Sequence, residues 1–273
     1  MISYSHEDRL KTESMSVDDG SFPRITWSES FITSTAAEQG PRLPLIAIVR
    51  RSLFREILLR YRRRIEFRTT HNTTASVAYS KMTIDEFNDI NLRQAWANWR
   101  TIPRNLNGRL PFHSLQAIDL CCGTGDSLSV LAYYLPANSQ LTGLELTKRF
   151  VVAARRRIYR NLSGRLVRPQ FHCQSVLDGF RDSAGRRFTN RSVDLVNASG
   201  ALGCHFQASE LRSLAMECAR VLRRGALALI DSGYDGINRC KMAQLFESVG
   251  FRTVGSAKSC LWDRRTQLCL ERR

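Results

Sequence analysis

Apolar and polar positions follow two textures along the chain, and the change between them falls near residue 111. Before it, apolar residues recur at helical spacing. Leu45, Val49, Leu53, Ile57 and Tyr61 repeat every four residues after Pro44, with Ile46, Ile48, Phe54 and Leu58 widening the stripe, which predicts a helix over Leu45–Tyr61. Thr83-Ile-Asp-Glu86 has the form of a capping box and predicts a second helix N-capped by Thr83. Phe87, Ile90, Gln94, Ala95 and Trp99 follow at helical spacing. Pro103 is expected to end that helix, because the residue before a proline disfavours the α region.

From Leu115 short apolar runs alternate with amphipathic ones. Strands are predicted at Gln116–Leu120, Gln140–Leu146, Gln170–Gln174, Val193–Asn197 and Ala226–Asp231. Helices are predicted at Ser127–Leu135, Lys148–Arg160, Glu210–Leu222 and Arg239–Val249, and Phe251–Val254 with Gln267–Glu271 read as a closing antiparallel hairpin. Seven strands alternating with helices imply an α/β fold, a doubly wound, mostly parallel sheet with helices on both faces. Its ligand is expected at the carboxyl ends of the strands. The chain divides into a polar segment 1–40, expected to be disordered, a helical extension 41–110 and an α/β domain 111–273.

Charge changes this picture locally. The 273 residues carry 41 basic and 25 acidic side chains, a net +16. Of the basic ones 36 are Arg and 5 are Lys, a bias that raises charge without requiring a polyanionic partner. Residues 1–40 hold 3 basic and 7 acidic side chains (net −4), whereas 41–70 hold 9 and 2 (net +7). Arg50, Arg51, Arg55, Arg60 and Arg62–Arg64 crowd one side of the first predicted helix. Three readings stay open for Arg50–Arg64: a helix packed on its own domain with a solvated Arg face, a peripheral membrane contact, or an RNA-binding stripe. No run approaches a membrane span. The polar start Met1–Ser16 and eight cysteines without a Cys-x-x-Cys pair predict a cytoplasmic protein with reduced thiols and no metal site.

The chemistry concentrates in Ala117-Ile-Asp-Leu-Cys-Cys-Gly-Thr-Gly-Asp126, a strand ending at Asp119 and a turn through Gly123 and Gly125 into a helix. The glycines allow a sharp turn and close approach of a ligand to the backbone. This segment resembles the first motif of the class I S-adenosylmethionine-dependent methyltransferases, with Cys121 in place of the first glycine. That variant is similar to the menaquinone/ubiquinone-biosynthesis C-methyltransferase branch. Further landmarks resemble the family in order: Gly143-Leu-Glu-Leu-Thr147 at the second strand, Asn197-Ala-Ser-Gly after the fourth, Arg220-Val-Leu-Arg-Arg-Gly-Ala226, and Gly250-Phe251.

The resemblance implies a Rossmann-like fold and S-adenosylmethionine as cofactor. It implies that Asp119, Cys121, Gly123 and Gly125 surround the cofactor and that Glu145 accepts its ribose hydroxyls. Ser175 and Val176 would flank the adenine, with Asp178 as the acid after a short shift. Asn197 would lie beside the transferable methyl, and Tyr79 would approach from a lid. His205 is a weak candidate for a catalytic base. A nicotinamide-binding oxidoreductase also places an acid about 20 residues after its glycines, but it wants a third glycine where this chain has Leu128. The strand-four loop lacks the Asn/Asp-Pro-Pro-Tyr/Phe pattern of amino-group methyltransferases. The acceptor is therefore expected to be a small molecule, with an RNA methyltransferase as the alternative.

Overall fold

A computed structural model describes residues 43–64, 72–109, 113–231, 233, 237–261 and 266–273. The segment 1–40 expected to be disordered lies outside the described residues. The order of elements is α1 (Leu45–Arg63), α2 (Asn72–Ser80), α3 (Ile84–Leu106), β1 (Gln116–Leu120), α4 (Asp126–Tyr134), β2 (Gln140–Glu145), α5 (Lys148–Arg156), β3 (Tyr159–Arg160), β4 (Leu166–Val167), β5 (Gln170–Cys173), β6 (Val193–Ala198), α6 (Leu202–His205), α7 (Ala208–Val221), β7 (Leu222–Asp231), α8 (Arg239–Glu247), β8 (Phe251–Lys258) and β9 (Thr266–Arg272).

Seven strands form one sheet in the order β5-β2-β1-β6-β7-β9-β8, while β3 and β4 pair separately. The first five strands of that order run parallel. β9 then lies antiparallel between β7 and β8. The chain leaves β1 towards β2 and β5, then returns to the other side of β1 as β6. That reversal opens a crevice at the carboxyl end of β1, where such sheets bind ligands. Buried strand residues such as Ile118, Leu144, Val196 and Ile230 form one core layer, and Ala117, Leu141, Leu195 and Leu229 the other. This is the doubly wound, mostly parallel sheet with a C-terminal antiparallel hairpin that the alternation predicts.

Four local expectations are corrected. α3 does not stop before Pro103 but runs to Leu106, with the proline inside it. Pro103 deletes one helical hydrogen bond, yet Ile102 and Leu106 on either side are fully buried. The Asn107 N–H then closes the last turn onto the Pro103 carbonyl. α5 ends at Arg156 rather than Arg160, because Tyr159 turns inward, stacks on Phe171 and donates its hydroxyl to the Ala154 carbonyl at 2.9 Å. β7 starts at Leu222 rather than Ala226, its first residues crossing a bulge where Arg223 pairs with Asp194 at 2.7 Å. α2 and the short α6, which the apolar pattern leaves without an element, are helical. No helix among the described residues is long and apolar enough to cross a membrane.

The helical extension is fastened across the sheet's carboxyl edge. The capping box at Thr83 forms as predicted, Thr83 Oγ1 accepting from the Glu86 N–H and Glu86 Oε2 from the Thr83 N–H. α3 then passes Gln94 to Asp231 at 2.9 Å and Asn105 to Gln267 at 3.1 Å, tying it to the ends of β7 and β9.

Candidate active site at the carboxyl ends of the strands

Gly125 has φ +88°, and a Cβ there would lie 2.1 Å from the Tyr159 hydroxyl. Glycine is therefore required at this position for both conformation and space. Gly123 also has positive φ, and so does Cys121 at +53°. Cys121 thus keeps the left-handed backbone that its glycine counterpart would supply, and it points a thiol at the crevice. Burial pushes that thiol well above its ordinary range, so it stays protonated.

A cavity of about 110 Å³ opens beyond this turn. Its walls include Cys121, Glu145, Thr147 and Phe150 from the sheet side, Tyr79 and Phe87 from the helical extension, and Ser199, Gly200 and His205 from the segment after β6. A larger groove of about 650 Å³ lies at the amino ends of the strands, near Gln116, Gln140 and Gln170. That is the wrong end of a parallel sheet for the chemistry expected here.

Glu145 is the charged side chain of the cavity wall. One carboxylate oxygen accepts from the Gly123 N–H at 3.0 Å and the other from the Thr147 N–H at 2.8 Å. Burial raises its pKa, and the backbone donors oppose that rise by favouring the ionised form. Each oxygen retains acceptor capacity towards the cavity.

Asp119 and Asn197 lie beneath the cavity rather than in its wall, and both are fully buried. Asp119 accepts from Ser127 Oγ at 2.5 Å and from Asn197 Nδ2 at 2.6 Å. Asn197 Oδ1 in turn accepts from Gln267 Nε2 at 3.2 Å. Asp119 therefore ties the start of α4 to the end of β6, immediately under the glycine turn. Its pKa is raised to about 7, chiefly by burial, against the lowering effect of its two donors. Ser175 caps the short helical turn Val176–Asp178, with Val176 buried, and neither lines the cavity. Asp178 is exposed in that turn.

Tyr79 and His205 meet inside the cavity, the hydroxyl 3.0 Å from His205 Nε2. Burial raises the Tyr79 pKa above its ordinary value. The phenol therefore stays protonated, and the His205 tautomer sets which of the two supplies the hydrogen of this contact. His205 is the last residue of α6.

Phe87 escaped the sequence reading as a site residue. Its ring sits where a Cβ on Gly123 would be, 2.8 Å away, and stacks on Phe150 at a centroid distance of 4.0 Å. Beside it Thr124 Oγ1 donates to Asn88 Oδ1 at 2.7 Å. An aromatic residue in a helix stripe has no local sign of reaching a turn 36 residues away; only the shared chain topology brings them together.

S-adenosylmethionine suits this chemistry, because its ribose diol donates and Glu145 accepts, and because the glycine turn offers backbone without side chains. Space is short. A cavity of about 110 Å³ is below the several hundred that a ligand of that size fills. Tyr79 and Phe87 fill the side of the cavity that faces the turn. Among the described residues no cluster of His, Cys, Asp and Glu is arranged to hold a metal ion.

Residues 117–225 match the family model described as a methyltransferase domain. Solved structures resemble the chain at low identity. Magnesium protoporphyrin IX methyltransferase from Synechocystis, solved with bound S-adenosylmethionine, is 16% identical over 85% of this chain and 98% of its own, with a TM-score of 0.48. A putative methyltransferase in complex with the Haloferax volcanii Trm112 activator is 18% identical over 70% and 97%, also at 0.48. The [4+2]-cyclase SpnF is 16% identical over 53% of this chain, which spans 54% of the cyclase, at 0.41. Among curated proteins none matches. Residues 117–225 are thus similar to a methyltransferase domain.

Proposed function

We propose that this chain transfers a methyl group from S-adenosylmethionine to a small-molecule acceptor. The observation that carries this reading is the single space shared by Glu145, Cys121, Tyr79 and His205 at the carboxyl edge of the sheet. Its aromatic walls, Phe87, Phe150 and Phe206, suit a small apolar acceptor better than a nucleic-acid strand. The likeness of the Cys121-Cys-Gly123 turn to the quinone C-methyltransferase branch supports the same acceptor class.

In this reading Glu145 binds the ribose hydroxyls, and the turn from Cys121 through Gly125 lets the cofactor lie against the backbone. Ser175 and Val176 serve the adenine side. Asp119 and Asn197 act as positioning residues, holding the turn from beneath. When bound, the cofactor supplies an electrophilic methyl on a sulfonium. The residues of the chain orient the acceptor, exclude water and receive any proton the acceptor loses. In the tautomer that leaves Nε2 as an acceptor, that proton reaches His205 through the Tyr79 hydroxyl, which passes its own proton to Nε2 as it takes the acceptor's.

Calorimetry tests the cofactor half. Wild type should bind S-adenosylmethionine and S-adenosylhomocysteine but not NAD. Glu145→Ala should bind both sulfur compounds about tenfold more weakly or worse, the equivalent of ~1.4 kcal/mol, while remaining folded. A folded wild type that binds neither would sink the proposal. For the acceptor half, transfer of labelled methyl into a pool of small phenols and quinols is the readout. His205→Gln should lose turnover while keeping cofactor affinity.

A further inference from the structure

α1 shows two apolar faces, and among the described residues only one of them is packed. Ile48, Ser52 and Leu59 are buried towards α3, where Ser52 Oγ donates to the Ile90 carbonyl at 2.6 Å. Arg51 and Arg55 clamp the same side through Asp89, at 2.5 and 2.9 Å. At 3.6 residues per turn, Ile46, Leu53, Phe54, Ile57 and Tyr61 fall within about 100° of arc on the opposite side. They are between 53% and 87% exposed, a row of large apolar side chains facing away from the described residues.

The charges around that row select the partner. Arg50 lies inside the arc, and Arg62 and Arg64 stand beyond its carboxyl-terminal end. These three make no ion pair among the described residues. Residues 45–64 carry seven Arg against the one acid Glu56, which is itself paired with Arg60 at 2.6 Å. A nucleic-acid stripe would present arginines outermost, whereas here apolar side chains do so, with arginine inside the row and at its end. The geometry points to the outward face of α1 as a docking surface for an anionic lipid bilayer. Ile46, Leu53, Phe54 and Ile57 enter the headgroup boundary, Tyr61 sits at its level, and the aliphatic stems of the arginines let their guanidinium groups reach the phosphates. α1 runs parallel to the membrane, and its buried face keeps the catalytic domain attached.

Co-sedimentation of the full chain with phosphatidylcholine vesicles, with and without phosphatidylglycerol, tests this. Wild type should pellet with the anionic vesicles only, and added salt should release it. Phe54→Glu/Ile57→Glu should lose about tenfold in vesicle affinity, with an unchanged melting temperature and unchanged S-adenosylmethionine affinity. Arg50→Gln/Arg62→Gln should weaken binding to the anionic vesicles. The inference is overturned if wild type ignores the anionic vesicles, or if the Glu double variant binds them as wild type does. It is equally overturned if that variant abolishes an RNA shift or a self-association while vesicle binding stays unchanged.

Discussion

Replacing Asp119 by asparagine isolates the consequence of burying a carboxyl group under the glycine turn. Asp119 is fully buried and its pKa rises from 3.8 to about 7. In the unfolded chain it ionises near its ordinary value. Between pH 4 and 7 the native protein therefore holds a proton that the unfolded chain has released. A group raised in this way contributes stability that is fully present below the unfolded pKa and is lost as pH rises through the folded one. About three pKa units at 1.36 kcal/mol each amount to about 4 kcal/mol lost between pH 4 and pH 7. The two short hydrogen bonds from Ser127 and Asn197 are already included in that balance, since they lower the pKa against the larger effect of burial.

The amide introduced by Asp119→Asn cannot ionise, yet it still offers one acceptor and a donor that the Ser127 hydroxyl can accept. Urea unfolding of both proteins from pH 4 to 8, under reducing conditions, gives the difference in unfolding free energy at each pH. Other titrating groups, Glu145 included, are present in both proteins and cancel to first order. Asp119→Asn should gain on wild type by about 1.4 kcal/mol per pH unit up to neutrality and then level off. The absolute offset reports how well the amide replaces the carboxyl. The slope reports the buried charge alone. Parallel curves for the two proteins across that range would falsify the account of Asp119 as a desolvated positioning residue.

Gly125→Ala should destabilise by roughly 2–4 kcal/mol, because it combines a strained φ with a Cβ 2.1 Å from the Tyr159 hydroxyl. Thermal unfolding measures it, and Tyr159→Phe in the same background should restore part of the loss by removing the clashing oxygen. Phe87→Ala empties the ring from the Gly123 cradle, so S-adenosylmethionine should associate faster in stopped-flow fluorescence. An unchanged rate would mean that the ring does not stand in the entry path.

Residues whose roles are local were readable from the sequence. The capping box at Thr83, the apolar runs of the strands and the glycines of the turn declare themselves within a few positions, and the sheet follows from their order. Pro103 misled because its local effect was outweighed by the burial of Ile102 and Leu106. Asp119 and Glu145 were legible as a pair, but not that one carboxyl lines the cavity and the other is buried beneath it. Whether a carboxylate faces a cavity or supports it from beneath depends on Ser127, Asn197 and Gln267, and Gln267 lies 148 residues beyond Asp119. Phe87 and the Tyr79–His205 contact were illegible for the same reason, since each joins the extension to the distant edge of the sheet.

The polar contacts of α3 decide which part of the extension can move to admit the cofactor. Gln94, Asn98, Thr101 and Asn105 are buried along its length. Gln94 is held by Asp231 and Asn98, and Asn105 by Gln267, so lifting this stretch would strand several buried polar groups at about 1–3 kcal/mol each. An opening that admits the cofactor is therefore expected in α2 and the first two turns of α3. There Asn88 reaches Thr124 through a single side-chain hydrogen bond, and Tyr79 reaches His205 through another. Arg149 also donates to the Met82 carbonyl between the two helices. Arg63, at the end of α1, donates to the Lys81 carbonyl and pairs with Glu86, in the same turn. If α1 rests on a bilayer, its carboxyl-terminal end is thus coupled directly to the segment expected to move. Anionic vesicles should then change the rate of S-adenosylmethionine association for wild type, and Arg63→Gln should remove that change without weakening vesicle binding by as much as Phe54→Glu/Ile57→Glu does. An equal vesicle effect in wild type and Arg63→Gln would show that α1 and the moving segment act independently.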